Sequence, residues 1–131
     1  MDTGVLVSAF AFGGVPAKAV RKAFREADIY VSPELLQEYR ETPVKLEVQG
    51  KITHQQMQTL ISGIAAAVAH AKIVYPAEKL SVCRDPEDDM LLECCRSAKA
   101  KYLITGDKDL LDITALPFEL HIMTAQTFIE D

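Results

Sequence analysis

Tyr102-Leu103-Ile104-Thr105-Gly106-Asp107-Lys108-Asp109-Leu110-Leu111 reads as a short apolar strand, stopped by glycine and followed at once by acids. Gly106 punctuates the strand, and Asp107 is placed to cap a short helix over Lys108–Leu111. One helix upstream stands a second acidic segment, Arg84-Asp85-Pro86-Glu87-Asp88-Asp89. Two carboxylates about 4 Å apart repel by roughly 4 kcal/mol at an effective dielectric near 20. A fold that gathers such groups needs a compensating charge, and a divalent cation is the commonest one.

Working outward, helices and strands alternate. Asp85-Pro86 opens a helix that buries Leu91, Leu92, Cys95 and Ala98, with Asp85 as its cap. Asp88 reads as a charge favouring the positive helix end, and Asp89 as the acid able to project along the edge of a sheet. Upstream, Val15–Ala27 has the spacing of a helix and Ile29–Val31 that of a strand. Ser32-Pro33 starts a helix carrying Leu35, Leu36 and Tyr39 inward, with Glu38 on another face. Thr53 and Gln56 form a capping box for a helix reaching His70, and Lys72–Tyr75 is a strand ended by Pro76. Leu120–Met123 is the last strand, and Thr124 caps a terminal helix. Val5–Phe12 is apolar throughout, so periodicity leaves strand and buried helix both open. Strands separated by helices imply a parallel sheet between helical layers, with chemistry at the carboxyl ends of the strands.

The 131 residues suit a single domain, 1–131, with a full core. A net charge of −5, from 14 basic and 19 acidic residues, excludes a broad electrostatic grip on nucleic acid. A local basic strip, Lys18, Arg21, Lys22 and Arg25 at helical spacing, leaves room for a guided RNA strand or an acidic partner surface. Three cysteines without a CxxC pair, and scattered His54, His70 and His121, give neither a disulfide framework nor a zinc site. No apolar run is long enough to span a bilayer, so a cytoplasmic protein without membrane contact is expected.

Four stretches together resemble the PIN-domain nucleases, and among them the VapC-type toxin component of toxin–antitoxin pairs. They are Asp2-Thr3-Gly4-Val5-Leu6-Val7-Ser8-Ala9, Ser32-Pro33-Glu34-Leu35-Leu36-Gln37-Glu38, Val82 to Asp89, and Tyr102 to Leu111. The resemblance implies a three-layer α/β/α sandwich around a parallel sheet of four or five strands in the order 3-2-1-4-5. It places catalytic, metal-holding acids at Asp2, Glu38, Asp89 and Asp107, with Asp109 as a fifth metal position. It further implies Mg²⁺ or Mn²⁺ as cofactor, RNA phosphodiester hydrolysis, a cognate antitoxin partner and a homodimer.

Two features depart from that family's pattern. Gly4 stands where an asparagine is usual, and only Met1 precedes the first aspartate, so either the true start lies further upstream or the first strand is a stub. They support an alternative, a catalytically degenerate PIN-fold module that binds without cutting. A phosphate-receiver-like protein would need a lysine at a later strand end, and Lys108 is not placed for that.

Overall fold

The ends of the helices are set by the residues that the sequence marks. The computed structural model describes residues 1–130. Ser32 Oγ accepts the Leu35 amide at 3.2 Å and, with Pro33, starts α3 (Pro33–Val48). Thr53 and Gln56 cap each other at the head of α4 (His54–Ala69). Asp85 accepts the Glu87 amide at 3.0 Å at the start of α5 (Pro86–Ala98). Asp107 accepts the Asp109 amide at 2.9 Å at the start of α6 (Lys108–Leu111). Thr124 accepts the Thr127 amide ahead of α7 (Ala125–Glu130).

The open choice over Val5–Phe12 is resolved as helix. α1 (Thr3–Val7) passes into a π-helical turn over Ser8–Phe12. The chain then bends by 112° into α2 (Gly14–Glu26). Gly13 and Gly14, with φ of 78° and 71°, take the left-handed backbone that makes this corner. Among the described residues no single helix is long and apolar enough to cross a membrane.

β1 (Ile29–Val31) pairs in parallel with β2 (Ala71–Ile73), with Ile29 opposite Ala71 and Val31 opposite Ile73. β3 (Tyr102–Ile104) pairs in parallel with β4 (His121–Met123), with Tyr102 opposite His121. Here the expected sheet is corrected: the strands form two separate two-stranded sheets, not one of four or five strands. The reason lies between them. Met1 lines the space that separates β1 from β3, together with residues of both strands. The Asp2 amide donates to Ile104 O at 3.1 Å, while Met1 O accepts the Tyr39 hydroxyl instead of a β1 amide. One ladder bond to one side does not join two sheets.

Helices cover both faces. Val5, Ala19, Ala23, Ile104 and Phe128 bring α1, α2 and α7 against β3. A larger cluster, with Leu35, Tyr39, Leu60, Leu92 and Leu103 among its members, joins α3, α4 and α5 to β1 and β3. Burying each such leucine contributes about 1.5–3 kcal/mol. This fixes the carboxyl ends of β1 and β3, and the loops that leave them, on one edge of the molecule.

Candidate active site

Thr105 leaves the end of β3 fully buried, at 0% exposure. Its hydroxyl donates to Asp2 Oδ2 at 2.5 Å and accepts the Asp107 amide at 3.0 Å. One threonine thus ties together two acids that lie 105 positions apart in the chain (107 − 2). Both are otherwise held by helix starts: Asp2 caps α1, and Asp107 caps α6 through the Asp109 amide. Both residues remain only partly buried.

The first turn of α5 supplies the next group. Asp88 lies beside Asp107, and its pKa is pushed up to about 7. Partial burial is the largest cause, followed by the charges of Asp107, Asp85 and Asp2. Glu38, from the second turn of α3, is also raised. Burial again leads; a nearby Thr3 hydroxyl partly offsets it, and Glu87, Asp2 and Asp85 add repulsion. Thr3 Oγ1 is itself buried and makes no hydrogen bond of good geometry. Four chain segments therefore feel one another's charge at the strand ends: Asp2, Glu38, the Asp85–Asp88 turn and Asp107.

Asp89 is not among them. It is 7% exposed, and its Oδ1 accepts the Val82 and Cys83 amides, both at 2.9 Å. A residue step turns an α-helix by about 100°, so the neighbours Asp88 and Asp89 project in different directions from α5. Asp89 anchors the loop ahead of α5 through Oδ1, and Asp88 is the acid of this turn that lies beside Asp107.

Asp109, the expected fifth metal position, is turned to Arg84 at 2.9 Å in an exposed ion pair. Such a pair contributes little to stability. The basic strip on α2 is divided. Lys22 donates to Phe128 O at 2.5 Å and lies over the Phe128 ring, while Lys18, Arg21 and Arg25 are exposed. Cys83, Cys94 and Cys95 are free thiols. Burial, reinforced by Asp89, pushes Cys83 up to about 12, which makes it a poor nucleophile.

The donor set at the strand ends is all oxygen and carries surplus negative charge. That suits a hard cation of the Mg²⁺ or Mn²⁺ type. Burial leads the elevation of Asp88 and Glu38, and the repulsion that adds to it is what such a cation would relieve. Among the described residues, no three acids or other ligand-type side chains already surround one common point. Ligation by three of them therefore requires side-chain rotation.

A family model described as PIN domain matches residues 1–109 of the chain. An uncharacterized protein of Methanocaldococcus jannaschii is 28% identical over 115 residues, covering 86% of this chain and 72% of that protein. No solved structure matches.

Proposed function

Because the chain belongs to the PIN-domain family, whose members are generally nucleases, we propose that it is a Mg²⁺- or Mn²⁺-dependent endoribonuclease. The observation that carries this reading is the Thr105 hydroxyl, which ties the Asp2 carboxylate to the Asp107 amide at the end of β3, with the charges of Asp2 and Asp107 both felt by Asp88. Asp2, Glu38, Asp88 and Asp107 would hold the ion, and Asp85 would add negative charge beside them. The chemistry supplied there is Lewis acidity toward a phosphodiester and a lowered pKa for an attacking water.

The protein's own groups set the stage for that chemistry. Thr105 keeps the Asp2 carboxylate and the Asp107 backbone in a fixed relation. The Asp109 amide fixes the orientation of the Asp107 carboxylate through Oδ1. Asp88 holds a proton near neutral pH, which must leave before it can act as a charged ligand. Lys18, Arg21 and Arg25 present positive charge on α2 that suits an RNA backbone or an acidic partner.

The resemblance to the toxin branch supports a cognate antitoxin and a homodimeric state as part of the same proposal. An acidic pocket of this kind favours a basic side chain from such a partner. The test of the nuclease reading is Asp107→Asn: RNA cleavage in Mg²⁺ or Mn²⁺ should vanish while the melting curve is retained. Unchanged cleavage by that variant would sink it. Gly4 favours the second reading, a degenerate binding module, and calorimetric titration with Mn²⁺ separates the two, since such a module should take up no ion at the strand ends.

A further inference from the structure

We propose that Thr3 is the positioning residue for Glu38 in the ion-loaded site: its hydroxyl donates to one oxygen of the charged Glu38 carboxylate and leaves the other for the cation. Thr3 is 5% exposed, and its Oγ1 makes no hydrogen bond of good geometry. No other fully buried side-chain oxygen or nitrogen is left so among the described residues. A buried hydroxyl without a partner weakens a fold, and valine, of nearly the same shape, carries no such cost. The ion-free fold therefore gives no reason for a threonine here. The reason lies in a state in which the hydroxyl is paired.

The surroundings name the partner. Thr3 begins α1 directly after Asp2, and α1 packs against α3, which carries Glu38. Thr3 is not part of the lining of the space between the two sheets, so its setting comes from α1 and α3. The hydroxyl lies close enough to Glu38 to lower its pKa against the burial that raises it. A threonine inside a helix can turn to the carbonyl one turn back, as Thr42 does to Glu38 O at 2.7 Å. At the first position of α1 no helical carbonyl stands one turn back. Thr105 shows the same device completed: it is fully buried, and its hydroxyl donates to Asp2 Oδ2. Asp2 Oδ1 accepts the Gly4 amide, which fixes the turn that carries Thr3 to the same acid. Ligation by three acids requires side-chain rotation, and rotation of Glu38 turns its close approach to Thr3 into a bond of good geometry.

This inference rests on the cation site proposed above, and Asp107→Asn is its control. In calorimetric titrations of the full chain with Mn²⁺, Thr3→Val should bind about tenfold more weakly than the unaltered protein or worse. Thr3→Ser, which keeps the hydroxyl, should recover most of the affinity. Without the ion, Thr3→Val should melt at the same temperature as the unaltered protein or up to about 5 °C higher. Unchanged Mn²⁺ affinity in Thr3→Val, with binding lost in Asp107→Asn, overturns this inference and leaves the cation site standing. So does an affinity that Thr3→Ser fails to restore. A lower melting temperature of ion-free Thr3→Val, or its failure to fold, also overturns it, since the hydroxyl then serves the fold itself. No Mn²⁺ uptake by the unaltered protein, or equal uptake by Asp107→Asn, overturns the cation site and this inference with it.

Discussion

Thr105 donates its hydroxyl hydrogen to Asp2 across 2.5 Å, and the oxygen of the same hydroxyl accepts the amide of Asp107. The contact couples the start of the chain to the loop after β3, inside a fully buried side chain. Without it, two carboxylates that repel each other would have no shared anchor.

Replacing Thr105 by valine keeps the volume and removes the hydroxyl. The Asp107 amide and one Asp2 oxygen then lose their partner. Thermal or urea unfolding should report a loss of about 1–3 kcal/mol. Calorimetry should show weaker Mn²⁺ binding, and Thr105→Ser should recover most of it.

The pH dependence has a definite sign. Asp88 in the folded protein sits at about 7, above its ordinary value of 3.8. The folded state therefore holds this proton more tightly than the unfolded chain does. Stability from this group is fully present below the ordinary value and declines as pH rises toward about 7. Urea midpoints measured from pH 4 to pH 8 should fall over that window. Asp88→Asn should flatten the decline, and added Mg²⁺ or Mn²⁺ should reverse it above pH 7.

Asp88 and Asp89 are neighbours with opposite expected behaviour. Asp88→Asn removes a repelled charge, so it should leave stability at pH 8 unchanged or raised while RNA cleavage falls by two orders of magnitude or more. Asp89→Ala strips the Val82 and Cys83 amides of their acceptor and should cost about 1–3 kcal/mol. Cleavage per folded molecule should survive the second change better than the first. The reverse ranking, from activity normalised to the folded fraction, would return the ligand role to Asp89.

Gly63 on α4 faces the ring of Phe10 from the π-helical turn. A Cβ at that position would meet ring carbons at 2.4 Å. Gly63→Ala should therefore destabilise the fold by about 1–3 kcal/mol through overpacking, despite alanine's better helix propensity. Differential scanning calorimetry would read it as a lower melting temperature, and Phe10→Leu in the same chain should restore part of the loss.

At Gly4 nothing lies within 4 Å of an added Cβ. Gly4→Asn should therefore fold, and it should strengthen Mn²⁺ binding if the missing amide belongs to the site. Equal affinities by calorimetry would show that the position is indifferent.

Local chemistry told most of the helix starts. Ser32-Pro33, Thr53 with Gln56, Asp85-Pro86 and Asp107 are caps whose backbone partners lie within four residues, so no tertiary information is needed to find them. The short strands were visible for a similar reason: three apolar residues between breakers can be little else when helices alternate with them. Pairing was not. Whether β1 and β3 join depends on what lies between them, and Met1 with Asp2 spans too little of the gap to supply a ladder.

The amino-acid order by itself determined the alternation of helix and strand, the caps, the apolar faces and the concentration of acids after β3 and before α5, because each is a matter of spacing along a few residues. Only the tertiary structure decided which acids meet. One step along α5 separates Asp88, beside Asp107, from Asp89, spent on two loop amides, and a helix rotation of that size is set by the burial of Leu91 and Leu92 beneath it. The same packing holds Thr105 between Asp2 and Asp107, a contact between residues too far apart in the chain for any local rule to reach.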